Sequence, residues 1–428
     1  MGRSNLVKRI LLLSMSLILV FGIIAGCSSK GSSGSGGKSD GDVVTLNFFQ
    51  FKVEIADQLQ EMIKEFEAEH PNIKIKLETV GGGADYGAAL KAKFASGEEP
   101  DIFNNGGFKE LDLWKEKLAD LSGEPWVDHV LPIGKVPMTD EDGKLYGMPV
   151  NLEGYGFIYN KDLFEKAGIK ETPKTIDELN DAAKKLKAKD ITPFSAGYGE
   201  WWVIGQHLLN IPFAQQEDPD AFIKGLYDGT ETFKDNDKFK EFKSVLDAEI
   251  KNANDNPLTT DYNTQVTLFA SGETAMLQQG NWTENMITEV NPDINMGFLP
   301  IPLDNDESAD RLPVGVPNNW VLNKNSKHLD EAKMFLEWMV SSETGKRYIT
   351  EEFAFIPAFD NIEPNGLGDL GESILTYSKD EKTIPWTWFQ WPDGANKEFA
   401  ATIQEYAAGK IDYDTVLDRF QKTWDNLK

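Results

Sequence analysis

The chain contains one cysteine, Cys27, so whatever folds beyond it has to hold together without an internal disulfide. That cysteine stands directly behind an apolar run of fifteen residues, Ile10 to Ile24, with Arg3, Lys8 and Arg9 in front of the run and small Ala25 and Gly26 after it. A basic flank, a short apolar stretch and small residues at a cleavage point make a secretory signal. Fifteen residues also fall short of the roughly 20 that span a bilayer. Residues 1–26 are therefore expected to be a signal peptide, with the rest of the chain outside the cytoplasmic membrane. Ser28 to Gly41 is almost entirely serine, glycine and lysine, which bury nothing, and residues 27–42 are expected to form a flexible tether. Stability must then come from apolar cores, and the chain from Asp42 onward is long enough for two or three domains.

The formal charge is −27, and about −30 once the three basic residues of the signal are gone. Such a surface repels nucleic acid and does not adsorb to anionic lipid; solubility outside the cell accounts for most of it. Only Arg311, Arg347 and Arg419 remain after the signal. Arginine is the preferred fork for phosphate and carboxylate, so its scarcity points to a neutral ligand.

Along the chain, strand and helix patterns alternate. Val44, Leu46 and Phe48 alternate as in a strand, Leu59, Met62, Ile63 and Phe66 follow at helical spacing, and Ile73, Ile75 and Leu77 alternate with Lys74, Lys76 and Glu78. His70-Pro71-Asn72 ends the helix between them. Gly81-Gly82-Gly83 is a loop without the G-K-[ST] ending of a phosphate cradle. A helix from about Tyr86 to Ser96 leads to a short strand at Ile102-Phe103 that ends in Asn104 and Asn105. In an open α/β sheet such strand-end loops face the ligand crevice, which makes the two asparagines candidates, with a turn role as the alternative. Thr175 and Glu178 have capping-box spacing and start a helix.

The ordered segments Lys144-Leu145-Tyr146-Gly147-Met148-Pro149, Gly156-Phe157-Ile158-Tyr159-Asn160-Lys161-Asp162-Leu163-Phe164 and Thr172-Pro173-Lys174-Thr175-Ile176-Asp177-Glu178-Leu179, with Phe269-Ala270-Ser271-Gly272-Glu273 and Gly280-Asn281-Trp282 further on, resemble the sugar-binding proteins of ABC importers related to maltodextrin-binding protein. Within that class the flavour is that of binding proteins for raffinose-type oligosaccharides. Ile24-Ala25-Gly26-Cys27 likewise resembles the lipobox of bacterial lipoproteins, with Ile24 where leucine is usual. The second resemblance implies that Cys27 is lipidated and becomes the first residue of the mature chain. The first implies a two-lobed periplasmic-binding-protein-like α/β fold, each lobe a β-sheet flanked by helices, joined by a multi-segment hinge. On that basis residues 43–157 plus 273–323 are expected in lobe 1 and 158–272 plus 324–428 in lobe 2, with hinge crossings near 157, 273 and 323.

A pyranose ring has hydroxyl edges and C–H faces, so a sugar site combines flat aromatic platforms with short hydrogen-bonding groups. Trp201 and Trp202 follow a glycine-rich stretch, and Trp386, Trp388 and Trp391 lie in a proline-bounded segment; tryptophans on loops are harder to assign to a core than those on periodic helices. Trp338 and Trp424 read as core, whereas Trp114 and Trp126 are open. The family resemblance places an acidic sugar contact at Glu153, a carboxylate beside a stacking aromatic at Glu200 and Trp201, and an aromatic at Trp282 with Asn281 beside it. Trp320 and the pair Phe51 and Lys52 are further candidates, divided between pocket and core.

Catalysis finds little support. No H-E-x-x-H or G-x-S-x-G occurs, Ser195 lacks the first glycine of a nucleophile elbow, and His129 and His207 are isolated in the sequence. A chance carboxylate pair keeps a secreted carbohydrate-active enzyme as the alternative, and a sugar-sensing subunit for a receptor kinase as another. Asp140-Glu141-Asp142-Gly143 and Asp304-Asn305-Asp306 read as solvated turns, since neither continues into a calcium loop. The expectation is thus a monomeric, lipid-anchored binding protein on a Gram-positive surface. It captures a neutral oligosaccharide and presents it to an ABC permease, without cofactor, metal or nucleic acid.

Overall fold

The first β-α-β unit forms where the alternation places it. β1 (Val44–Gln50) and β2 (Ile73–Thr79) pair in parallel, and the helix Ala56–Glu69 between them buries Leu59, Met62, Ile63 and Phe66. These elements come from a computed structural model that describes residues 43–428; the signal, the lipidation at Cys27 and the tether lie outside the described residues. The helix Tyr86–Ser96 begins where the Asp85 side chain accepts from the Ala88 N–H, and it stops at Gly97, whose φ of 80° suits a residue without a Cβ. β3 (Ile102–Asn105) follows and pairs parallel to β1.

Two sheets result. The first has the order β2-β1-β3-β10-β4, in which β10 (Asn319–Leu322) runs antiparallel to both β3 and β4 (Met148–Pro149). In the second, β5 (Glu153–Asn160) pairs antiparallel with β7 (Thr274–Gly280), β8 (Met296–Leu299) and β9 (Leu312–Gly315), while β6 (Thr192–Ser195) lies parallel to β7 and β11 (Thr383–Ile384) parallel to β9. Each sheet has its own core. Phe48, Phe66, Phe103, Trp320 and Phe335 belong to the first; Tyr155, Phe157, Phe194, Phe213, Phe399 and Trp424 belong to the second. This is the expected two-lobed α/β architecture, with helices packed on each sheet.

The division of the chain differs from expectation. Phe157, Ile158 and Tyr159 lie well inside β5, not at a passage between sheets, and β7 stays in the second sheet. Val150 is still in the first core and Tyr155 already in the second, so the chain passes between them. It returns between Gly315 in β9 and Asn319 in β10, and the helix Leu329–Ser341 then packs in the first core. A last passage lies between Ile362 in the first core and Leu370 in the third apolar cluster, which adjoins the second sheet. At the seam, the Leu152 N–H donates to the Ile356 carbonyl at 2.9 Å.

Candidate functional site

The loops at the carboxyl ends of β1, β2 and β3 and those at the ends of β6 and β7 bring side chains from the two sheets together. Just past β1, the Lys52 ammonium meets the Glu153 carboxylate at the start of β5, 2.5 Å away, with the two side chains 5% and 4% exposed. Asn151 donates to the same carboxylate oxygen at 3.1 Å. Next along, Glu54 accepts from the Tyr262 hydroxyl at 3.0 Å, and burial pushes the Glu54 carboxyl up more than nearby Lys52 draws it down. Glu200, after β6, accepts from the Tyr262 N–H at 3.1 Å and lies against the glycine loop: a Cβ on Gly83 would sit 2.7 Å from its Oε2. Gly83, at φ 92°, is thus required there for both shape and room.

Behind this polar edge is an aromatic box around His207, which lies in a single π-helical turn, Val203–Leu208. Tyr155 stacks on the imidazole at 4.8 Å between centroids, and Trp282, Trp388, Trp202 and Trp386 surround it at 5.0, 5.2, 5.3 and 6.1 Å. Burial, assisted by the positive charge of Lys52, pushes the imidazole pKa down to about 3, so the ring is neutral at physiological pH. His207 Nδ1 and Trp386 Nε1 are buried without a partner in the protein, as are Asn104 Nδ2, Asn151 Oδ1 and Asn319 Oδ1. Leaving such groups unmatched costs about 1–3 kcal/mol each, so these five give the site hydrogen-bonding capacity that a polar ligand would satisfy.

At the outer rim, Asp85 pairs with Lys397 and Lys91 with Asp393, the latter at 2.9 Å. The Phe389 ring lies over Gly106, where an added Cβ would come within 2.3 Å of it and 2.9 Å of Glu110 Oε2. Glu110 accepts from the Gly106 N–H at 2.7 Å, and burial raises its pKa to about 7.

The expected residues divide accordingly. Lys52, Glu153, Glu200, Trp202, Trp282, Trp386, Trp388 and Asn104 gather here, and Phe51 lies edge-on to Tyr86 nearby, its N–H donating to Asn104 Oδ1 at 3.2 Å. Trp201 is only partly buried, with the Lys397 ammonium 5.0 Å above its ring. Asn105 serves the turn, accepting from the Gly107 N–H at 2.8 Å, and the Asn281 amide oxygen is taken by the Gly154 N–H at 3.1 Å. Trp320 belongs to the first core, edge-on to Phe48, and Trp391 packs 4.3 Å from Phe213 in the second; close packing removes both from the site. Sequence reading missed Tyr155, His207, Tyr262, Asn151 and Asn319. His207, isolated in the sequence, is the centre of the box in space, and the adjacent Trp201 and Trp202, which the structure places in the same helical stretch and not on a loop, were the one available hint.

Asp140, in the turn weighed for calcium, has its oxygens engaged by Lys115, Tyr146 and backbone N–H groups. Among the described residues, no group of three or more His, Cys, Asp or Glu is placed to hold a metal ion. Among them too, no helix is long and apolar enough to cross a membrane.

Two α/β lobes whose strand-end loops share one polar and aromatic site define a two-lobed solute-binding protein. Residues 52–346 match the family of bacterial extracellular solute-binding proteins, and the chain belongs to that family. It is 28% identical over 341 residues to the multiple sugar-binding protein of Streptococcus mutans, covering 76% of this chain and 77% of that one. It is 25% identical over 354 residues to the melibiose/raffinose/stachyose-binding protein MelE of Bacillus subtilis, covering 79% of each. Among solved structures, a Bacillus licheniformis sugar transporter protein in complex with stachyose superposes with a TM-score of 0.75 at 26% identity, over 90% of this chain and all of that one. RafE in complex with raffinose superposes with a TM-score of 0.78 at 23% identity, again over 90% and 100%, a likeness of fold. The chain is therefore a binding protein and not an enzyme, which sets aside the carbohydrate-active alternative.

Proposed function

We propose that this protein binds a neutral oligosaccharide of the raffinose type outside the cytoplasmic membrane and delivers it to an ABC permease. The observation that carries the reading is the aromatic box beside the Lys52–Glu153 pair and the unmatched amides, the combination of ring faces and hydrogen-bonding edges that a sugar needs. The relatives that bind melibiose, raffinose, stachyose and multiple sugars support the substrate class. In this reading the lobes comprise about 43–151 plus 317–362 and about 152–316 plus 363–428. They close on the ligand by small changes at three connecting segments, and the closed form is what the permease recognises. A lipid on Cys27 and the tether 27–42 hold the monomer at the cell surface. The expected result is a selective rise in melting temperature with raffinose or stachyose: ligand at about 100 times its Kd adds roughly 2.7 kcal/mol, worth several degrees. No shift with any neutral oligosaccharide would refute the substrate class.

A further inference from the structure

Asn210, fully buried, joins two segments of the second lobe that are far apart in sequence. Its Nδ2 donates to the Tyr155 hydroxyl and to the Pro385 carbonyl, both at 3.0 Å, and its Oδ1 accepts from the Thr387 N–H at 2.8 Å and the Thr387 hydroxyl at 2.7 Å. The Tyr155 hydroxyl in turn donates to the His207 carbonyl at 2.8 Å. One amide therefore fixes the backbone on both sides of Trp386 and, through Tyr155, the carbonyl of His207. Residues held this firmly, at 7% exposure each, nevertheless keep an imidazole nitrogen and an indole N–H without a protein partner. Unpaired indole N–H groups also occur at Trp391 and Trp424 in the core; what sets this place apart is an unpaired indole and an unpaired imidazole nitrogen on neighbouring rings of one fixed frame, and a binding site needs fixed directions. Trp202 and Trp282 are the partly exposed walls of the box, and Trp202 lies 5.2 Å from Tyr262, the residue bonded to Glu54 of the other lobe.

We propose that His207 is a specificity-determining residue: its Nδ1 and the Trp386 indole N–H hydrogen-bond hydroxyl groups of a sugar ring that binds against the box. The inference rests on the oligosaccharide reading above. The indole can only donate, while a neutral imidazole accepts at one nitrogen, so together they take a hydroxyl oxygen and a hydroxyl hydrogen. A sugar lacking those hydroxyls leaves both groups unmatched, which is the strongest form of discrimination a buried site offers. Aromatic neighbours then exclude water and cover the C–H faces.

The test is nitrogen NMR of the purified, ¹⁵N-histidine-labelled protein with raffinose, practicable because the chain has four histidines. His207 ring nitrogens are expected to shift on binding while the other three stay in place. In calorimetry, His207→Phe is expected to weaken raffinose binding by roughly tenfold or more. Monodeoxy raffinoses that bind the wild type poorly should be penalised much less by the variant. Raffinose binding without a shift at His207, or equal deoxy penalties in both proteins, would overturn the proposal and leave the oligosaccharide reading intact. Failure of raffinose, stachyose and melibiose alike to bind would overturn both. The wild-type NMR result stands even if the variant misfolds.

Discussion

Lys52 and Glu153 compensate each other in direct contact in a nearly dry place, with Glu54 a second carboxyl near the ammonium, so removing one is costly in a way that removing both is not. Glu153→Ala should destabilise the protein by about 3–5 kcal/mol in denaturant titration, because it strands a buried ammonium. Lys52→Met combined with Glu153→Leu should recover most of that loss while raffinose affinity stays low, since the hydrogen-bonding edge is gone. Wild-type affinity in the double variant would reduce the pair to a structural role. Glu153 was reachable from the sequence because it stands beside a family motif. Its dependence on Lys52, 101 positions away, was not, since spacing reports only neighbours along an element. His207 was missed for the same reason: four of the five rings that enclose it come from other segments, and a lone histidine carries no pattern.

Elements were legible where their signals are local. The Thr175–Glu178 capping box forms as its spacing requires, with both reciprocal bonds made. The helix Asp369–Lys379 has no such signal; its first turn is held from afar by the Glu284 carboxyl, which accepts from the Leu370 and Gly371 N–H groups at 3.2 and 3.3 Å. Thr175→Ala should cost about 1 kcal/mol, the usual loss for a helix N-cap. Glu284→Ala should cost up to about 3 kcal/mol, because it leaves buried N–H groups unmatched. Urea titrations compare the two, and a smaller loss for Glu284 would show that water replaces the carboxyl. Strands obey the same rule. β2 and the first half of β1 alternate between core and solvent and were read correctly, but β5 and β7 are buried along nearly their whole lengths. A strand covered on both faces has no alternation to show which sheet it joins, so two of the expected crossings fell inside β5 and at the start of β7.

At the scale of the whole molecule, the two-lobed fold was legible from the order of motifs, and the contacts between lobes were not, because they join segments up to hundreds of residues apart. Those contacts have a consequence for capture. Glu110 in the first lobe and Phe389 of the second meet over Gly106, with Asp393 and Lys91 near the carboxyl and Lys109 and Asp112 on its own helix. The Asp393 charge adds to burial in raising its pKa to about 7, and Lys91 with the Gly106 N–H opposes. If the proposed motion separates the lobes, Phe389 leaves and water returns the carboxyl toward its ordinary value near 4.5. The form with lobes together then holds its proton more tightly. Its advantage is complete below about pH 4.5 and is lost as pH rises toward 7. Raffinose affinity should accordingly fall across that window, by at most about tenfold per pH unit, and level off above it. Glu110→Gln cannot ionise and should flatten the profile, while Glu54, also raised and also bonded across the lobes, leaves a residual slope. Calorimetric titrations at pH 5, 6, 7 and 8 check this: a flat wild-type profile, or an unchanged slope in Glu110→Gln, would mean that binding does not bury this carboxyl.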